Sequence, residues 1–202
     1  MKNDLISQSS EFDCGPTTLV NAIRFLFHRE EVPPAVLKHI WTMGNDTFNE
    51  DGHLGKHGTS KASMRYMADW LNAYGQGCRF PIRAKFLDEA ATAIAPGSET
   101  WQCLQSGGCA LMRCFSGGYG HYVLLTALLS EEELGLFDPF DEVPEAHEDP
   151  WRVIEGEPKR MNRAVHVSVL NREDRSDYAM GPMAIRENLL IWRTEGKAQW
   201  HG

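Results

Sequence analysis

The apolar residues of this chain follow two different patterns, and the pattern changes near Gly107-Gly108. Before that point apolar residues recur at helical spacing, whereas after it they form short runs separated by turn residues such as S-G-G-Y-G and S-E-E-E. Helices followed along the chain by strands are typical of an α+β domain. The pattern therefore predicts an α+β fold, with a helical N-terminal half packed on a C-terminal antiparallel β-sheet.

The N-terminal half contains three segments with clear helical periodicity. The first covers residues 15–28, the second follows Pro33-Pro34, and the third, capped at residue 59 or 60, is expected to end at Gly75. Residues 44–58 are rich in Gly, Asn, Asp and His, so we expect a surface loop there. Residues 86–106 are predicted to form two short helices interrupted at A-P-G-S.

Five short apolar runs in the second half indicate strands. C-A-L-M-R-C-F, H-Y-V-L-L-T-A-L-L and L-G-L-F-D follow one another closely, which favours adjacent antiparallel strands. A-V-H-V-S-V and N-L-L-I-W-R are two further candidates. Residues 139–163 are acidic, contain proline and lack periodicity, so a long excursion is expected at about 139–163. Since no linker or repeat is evident, residues 1–202 are expected to form a single domain.

Composition and charge exclude several classes of partner. The net charge of −8 and the pI of about 5.5 remove the broad basic surface that nucleic-acid binding uses. The N-terminus lacks the apolar core of a signal peptide, and no segment approaches the roughly 18 apolar residues of a membrane span. We therefore expect a cytoplasmic protein with no nucleic-acid and no membrane partner, and the oligomeric state stays open. The five cysteines form no C-x-x-C pair, which favours free thiols.

Cys14 lies in the segment Q-S-S-E-F-D-C-G-P-T-T, directly before the first predicted helix. The unpaired N–H groups of a helix N-terminus carry partial positive charge, which stabilises a thiolate over a thiol. A nearby imidazole would complete the ion pair that activates cysteine hydrolases. An isolated cysteine is more often a small buried core residue, so the assignment depends on its partners.

Three further residues supply what a cysteine nucleophile needs. His121 follows a glycine-rich turn and begins an apolar strand, and Asp138 ends the next apolar run. If these strands pair as a hairpin, the two side chains approach, and the acid can orient the imidazole. Gln8 lies six residues before Cys14 and would stabilise an oxyanion together with the backbone N–H of the nucleophile. Taken singly, the histidine and the D-P dipeptide are also typical of turns.

Together these motifs resemble a known family, the papain-like cysteine peptidases of the bacteriocin-processing type, which cleave leader peptides after a double glycine. The resemblance rests on Gln8, C-G-P-T at 14–17, G-T-S at 58–60, the strand start at His121 and F-D-P at 137–139. It covers roughly the first 140 residues. It implies a papain-like fold in a stand-alone member. It further implies Cys14 as nucleophile and His121 as general base and acid, with Asp138 as the orienting acid and Gln8 as the oxyanion donor.

The same residues are compatible with more than one activity. The first is a cysteine hydrolase that cleaves a peptide or related amide bond, including leader-peptide processing. An acyltransferase or amide-forming enzyme would use the same acyl-enzyme and differ in the nucleophile that resolves it. A non-catalytic module could instead hold an extended peptide in a papain-like cleft, but the retention of Cys14 and His121 favours an enzyme. The partner is a peptide or a small amide or thioester substrate, and no cofactor is implied.

His53 and His57 invite a metal hypothesis because they are four residues apart and follow two acidic residues. The glycines around them make a helix unlikely, so the spacing has no geometric meaning. We expect a solvated loop here and no metal site.

Overall fold

The computed structural model describes residues 3–140 and 149–194. Its strands are β1 (Ile82–Asp88), β2 (Cys109–Ser116), β3 (Tyr119–Leu128), β4 (Glu133–Phe137), β5 (Trp151–Val153), β6 (Arg163–His166) and β7 (Glu187–Arg193). Within the described residues they form one sheet in the order β1-β7-β2-β3-β4-β6-β5, and every neighbouring pair is antiparallel. The three strands predicted to be adjacent, β2, β3 and β4, are neighbours in this sheet.

The helices cover both faces of the sheet. They are α1 (Cys14–Leu26), α2 (Pro34–Met43), α3 (Lys61–Cys78), α4 (Glu99–Gln105) and α5 (Val167–Leu170), with short 3-10 turns at Arg29–Glu31, Glu89–Thr92 and Met183–Ile185. Helices α1, α2 and α3 share one apolar core with the sheet, while α4 and α5 share a second core on the opposite face. The predicted α+β class is therefore confirmed, with the N-terminal helices packed on an antiparallel sheet.

The central strands are apolar on both sides because successive side chains point to opposite faces of a sheet. On β2, Leu111 belongs to the first core and Met112 to the second, and Leu189 and Leu190 divide in the same way on β7. Burial on two faces explains why these strands appear in the sequence as continuous apolar runs, without the alternation of a half-exposed strand.

Helix α1 is held tightly against β3. Every residue from Cys14 to Ile23 is buried, and the hydroxyl of Thr18 donates a hydrogen bond to the carbonyl oxygen of Tyr122 at 3.1 Å. Because Tyr122 directly follows His121, this contact sets the position of the helix start relative to the histidine.

Two expectations for the helical half are wrong. Of the two short helices predicted within residues 86–106, the second is confirmed as α4, but the first is not an α-helix, since residues 86–88 belong to β1, which pairs along its length with the distant β7. Helix α3 does not end at Gly75 but continues to Cys78. A Cβ atom at Gly75 would lie 2.9 Å from the carbonyl oxygen of Ile82, so the glycine allows β1 to approach the helix closely.

One strand prediction in the second half is wrong. The run A-V-H-V-S-V is not one strand, because β6 ends at His166, whose side chain accepts a hydrogen bond from the N–H of Ser168 and caps α5. The excursion expected at about 139–163 contains β5, which extends the sheet at its edge, and residues 141–148 lie outside the described residues.

None of the helices in the described ranges is long and apolar enough to cross a membrane.

Candidate active site

Cys14 is buried and is the first residue of α1. The carboxylate of Asp13, the residue before it, accepts hydrogen bonds from Ser9 Oγ at 3.1 Å and from Asn45 Nδ2 at 3.1 Å. It does not cap the helix. The partial positive charge of the first backbone N–H groups therefore lies beside the thiol and is not neutralised by an Asp13 cap.

The residues after Cys14 pack against the loop that precedes α3. A Cβ atom at Gly15 would lie 2.0 Å from Thr59 Oγ1, and one at Gly44 would lie 2.7 Å from Pro16 Cβ. Only glycine at position 15 allows the loop to approach this closely. The C-G-P-T and G-T-S motifs, 44 residues apart in the sequence, are thus two sides of one contact that supports the helix start.

The structure brings His121 and Asp138 together. His121 Nε2 donates a hydrogen bond to Asp138 Oδ1 at 2.7 Å, and the two side chains are 8% and 4% exposed. The register of β3 and β4 explains this approach, since Leu124 pairs with Phe137 and the next residue, Asp138, therefore extends towards the start of β3. The acid and the imidazole form a buried pair that water screens weakly.

Cys14 also lies close enough to His121 for the thiol to help raise the pKa of the imidazole. Because Nε2 is taken by Asp138, the other ring nitrogen, Nδ1, is left for the thiol. The imidazole therefore lies between the carboxylate and the sulfur. The three residues come from α1, β3 and the end of β4, and form one continuous chain of polar contacts.

The buried pair favours the charged imidazole. Burial lowers the pKa of His121, but the hydrogen bond to Asp138, the proximity of Cys14 and the negative charge of Asp138 outweigh it and raise the pKa to about 10. For Asp138, burial raises the pKa, but the hydrogen bond and positive charge of His121 outweigh it, with help from the N–H of Phe140 and the phenol of Tyr178, so the pKa is lowered. The arrangement favours an imidazolium held by a carboxylate.

Gln8 lies at the edge of this cluster. Its backbone N–H donates to the carbonyl oxygen of Pro139 at 2.8 Å, which ties the N-terminal segment to the residue after Asp138. Its side-chain Nε2 donates to the carbonyl oxygen of Ser10 at 2.9 Å. An amide nitrogen carries two hydrogens, so one remains that Ser10 does not use. The assignment of Gln8 as an oxyanion donor stays a prediction.

Two residues of the C-terminal third hold Asp138, and sequence reasoning missed both. Asn162 forms reciprocal bonds to its backbone, with Oδ1 accepting from the N–H at 2.8 Å and Nδ2 donating to the carbonyl at 2.8 Å. Tyr178 donates its phenol to Asp138 Oδ2 at 3.0 Å. Each is an isolated polar residue in a segment without a motif. Only the pairing of β4 with β6 and the packing beneath the sheet bring them to the acid.

Three of the other four cysteines are buried, and their burial disfavours the thiolate that nucleophilic attack requires. All five are free, as predicted. Burial raises the pKa of Cys103 to about 12 and raises the pKa values of Cys109 and Cys114 well above the usual range. Cys78 is exposed at the end of α3. Among the five thiols, Cys14 is the one that faces a histidine–carboxylate pair.

His53 and His57 lie in the loop between α2 and α3 and are both exposed. Across residues 3–140 and 149–194, no group of three or more His, Cys, Asp or Glu side chains is arranged to hold a metal ion.

Comparisons with known proteins find similarity at the level of structure. No protein-family model matches the chain, and no curated protein matches it. Among solved structures, the chain is similar to the peptidase domain of Streptococcus mutans ComA, with 14% sequence identity over 69% of this chain and 80% of that chain. The TM-score is 0.36. At that value the case for an activity depends on the geometry of the site itself.

The fold and the site together define an architectural class. A cysteine begins a helix packed on an antiparallel sheet, and the sheet carries the histidine and the acid at neighbouring strand ends. This is an α+β fold whose layout resembles that of the papain-like class.

Proposed function

We propose that this protein is a cysteine hydrolase that cleaves a peptide or related amide bond through a thioester formed on Cys14. The observation that carries the proposal is the position of His121, which is hydrogen-bonded to Asp138 at 2.7 Å and lies close enough to Cys14, at the start of α1, for the thiol to affect its pKa. A nucleophile, a base and an orienting acid in that order are the parts that acyl transfer through a thiolate requires.

In the first half of the reaction, the Cys14 thiolate attacks the carbonyl carbon of the substrate, and a carbon–sulfur bond forms as the carbonyl oxygen becomes an oxyanion. The C–N bond then breaks. The His121 imidazolium gives its proton to the departing amine, which leaves neutral. Asp138 keeps the imidazole in place and stabilises its charge before the proton is transferred.

In the second half, His121, now neutral, takes a proton from a water molecule as that water attacks the thioester. The carbon–sulfur bond breaks, the carboxylic acid product leaves, and Cys14 and His121 return to the ion pair. The raised pKa of His121, about 10, keeps the acid form available for the first half at neutral pH.

The oxyanion needs donors that are already oriented. The backbone N–H of Cys14 belongs to the first turn of α1, whose N–H groups are left without a side-chain cap from Asp13. The remaining hydrogen of Gln8 Nε2 would be the second donor. Its backbone bond to Pro139 keeps it close to the acid end of the triad.

Within the class of peptide substrates, leader peptides with a double glycine are the first to test. The motifs that resemble the bacteriocin-processing peptidases include the contact between Gly15 and Thr59, which supports the start of the helix that carries Cys14. An amine in place of water would give acyl transfer with the same triad.

The activated thiol can be tested without a known substrate. We expect a mild alkylating agent at neutral pH to modify Cys14 faster than the exposed Cys78, as read by mass spectrometry of peptides. His121→Gln should slow the reaction of Cys14 while leaving that of Cys78 unchanged. Equal rates at the two cysteines in the unmodified protein would refute the activated thiol.

The bond cleaved requires a separate experiment. Peptide libraries, including double-glycine leader peptides, would be incubated with the protein in the presence and absence of amine acceptors. Hydrolysed products that disappear in Cys14→Ala and persist in Cys78→Ala would support the hydrolase. Products that carry the acceptor amine would assign acyl transfer instead. A reactive Cys14 with binding but no turnover in either condition would leave a peptide-binding module.

A further inference from the structure

Tyr178 lies 40 residues after Asp138 in the chain, yet its side chain reaches the acid of the proposed triad. We propose that Tyr178 is a positioning residue which, together with Arg163 behind it, fixes the Asp138 carboxylate in the orientation that His121 requires. The inference rests on the proposed function, in which Asp138 orients the general base. It gives a role to the C-terminal third of the chain, for which sequence reasoning found none.

The first step of the argument is the way in which the Asp138 carboxylate is held. Oδ1 accepts hydrogen bonds from His121 Nε2 at 2.7 Å and from the N–H of Phe140 at 2.9 Å. Oδ2 accepts the phenol of Tyr178 at 3.0 Å. A carboxylate bound through one oxygen can still turn about its Cβ–Cγ bond. A donor on the second oxygen prevents that rotation and so keeps Oδ1 directed at the imidazole.

The second step is the direction of the phenol proton. Arg163 Nε donates to the phenol oxygen of Tyr178 at 3.2 Å, and Arg163 Nη1 donates to the carbonyl oxygen of Asn162 at 2.9 Å. A guanidinium has donors only, so the phenol oxygen must accept from Arg163, and its own proton is free for Asp138. Arg163 thereby makes Tyr178 a donor to the acid and polarises its O–H bond.

The third step is the backbone of Tyr178, which adopts a conformation that residues with a side chain avoid. Its φ angle is +64°, in the left-handed region. The segment is anchored on the end of β2, where Tyr178 N donates to Phe115 O at 2.8 Å and Phe115 N donates to Ala179 O at 2.9 Å. The ring then packs edge-on against Trp151, with ring centroids 5.1 Å apart. Strain that the surroundings maintain is typical of functional positions.

The surroundings of Asp138 determine the sign of the expected effect. Among the described residues, the titratable and charged groups facing it are His121, Tyr178 and Cys114, with Arg163 behind the phenol. The phenol stabilises the ionised carboxylate and so contributes to the lowered pKa of Asp138. Removing the phenol oxygen should therefore raise the pH at which Asp138 takes up a proton.

The test is Tyr178→Phe, which keeps the ring and its contact with Trp151 and removes only the donor. Tyr122→Phe is the matched control, because Tyr122 is also a buried tyrosine that donates to a buried carboxylate, that of Glu187. In protein labelled with ¹³C-histidine, the chemical shift of His121 should show a step at acidic pH when its partner Asp138 is protonated. The signal of His121 is the one that disappears in His121→Gln.

We expect this step to move to higher pH by about one unit in Tyr178→Phe, since a hydrogen bond to an ionised group changes the equilibrium constant by about tenfold or more. It should not move in Tyr122→Phe. Incorporation of 3-fluorotyrosine at position 178 makes a stronger donor and should move it to lower pH. An unchanged step in Tyr178→Phe, or an equal displacement in Tyr122→Phe, would overturn the inference.

The outcome is separable from that of the proposed function, because the histidine signal does not depend on a reactive thiol. A displaced step together with an unreactive Cys14 would leave the role of Tyr178 intact and refute the hydrolase. A reactive Cys14 with an unchanged step would refute the role of Tyr178 and leave the hydrolase intact.

Discussion

Replacement of Asp138 by asparagine tests the central contact of the site. The variant keeps the size of the side chain and the bonds that Asn162 makes to the backbone, but it removes the negative charge beside His121. Without that charge the imidazolium is less stable, so less of Cys14 is held as a thiolate paired with it, and the reactivity of Cys14 should fall.

The size of the effect follows from the burial of the pair. The two side chains are 8% and 4% exposed, so solvent and salt screen the interaction weakly. A hydrogen bond to a charged group contributes about 1.5–3 kcal/mol, which corresponds to about one to two pH units. The pKa of His121, raised to about 10 in the folded protein, should therefore fall to about 8–9 in the variant.

The sign of the stability change follows from the same numbers. Because the folded-state pKa of His121 lies above the ordinary value of 6.5, the stability from the charged imidazole is fully present below about 6.5 and is lost as the pH rises through about 10. In Asp138→Asn this loss should occur at lower pH. Urea unfolding at pH 7 and at pH 10 should show a smaller difference between the two proteins at the higher pH.

The assay is a titration of ¹³C-labelled histidine from neutral to alkaline pH, combined with the rate of Cys14 alkylation at neutral pH. Asp88→Asn is the control, since Asp88 loses the same charge from an exposed ion pair with Arg65. An alkaline titration of His121 that is the same in Asp138→Asn as in the unmodified protein would refute the reasoning. A shift of equal size in Asp88→Asn would do so too.

Two further predictions concern the helix start and the oxyanion. Gly15→Ala should destabilise the protein by about 1–3 kcal/mol in urea unfolding, because its Cβ would lie 2.0 Å from Thr59 Oγ1. Thr59→Gly in the same chain should restore part of the lost stability. Full stability of the Gly15→Ala variant would contradict the packing argument. Gln8→Ala should lower turnover of a cleaved peptide by about 10²–10³-fold while Cys14 alkylation stays unchanged, and a parallel fall in both would assign Gln8 to the thiol and not to the oxyanion.

Much of the fold could be predicted because the relevant interactions are local. Helices α1, α2 and α3 repeat apolar residues on one face, and strands β2, β3 and β4 are joined by short turns, so each pattern is contained within a few tens of residues. Strand β1 was missed because its partner, β7, lies about a hundred residues further along the chain. No local pattern records that pairing.

Gly75 also shows that a local pattern cannot predict a contact with another element. A glycine near the end of a helical pattern is typical of a helix terminus, and the expectation followed that rule. In the structure the helix continues, and the glycine instead allows the carbonyl groups of Phe80 and Ile82 to approach. The two uses of glycine are indistinguishable without the neighbouring strand.

The candidate site also contains residues that could be predicted from the sequence and residues that could not. Cys14, His121 and Asp138 could be proposed because each stands at the end of a recognisable element, and the ends of neighbouring elements meet in space. Asn162 and Tyr178 follow no periodicity and belong to no motif. They could be assigned only once the chain had folded around Asp138.

The sequence by itself determined the α+β class, the element that carries each member of the Cys-His-Asp set, and a cysteine at a helix N-terminus, since all of these depend on local periodicity and on residues at element ends. The tertiary structure alone decided that His121 and Asp138 are buried together and that the imidazole faces Cys14. It also decided that Tyr178 and Arg163 hold the acid from behind. The physical reason is that these hydrogen-bonded partners are 17 to 40 residues apart in the chain. Their contact and their burial arise from the packing of strands and not from the order of residues along them.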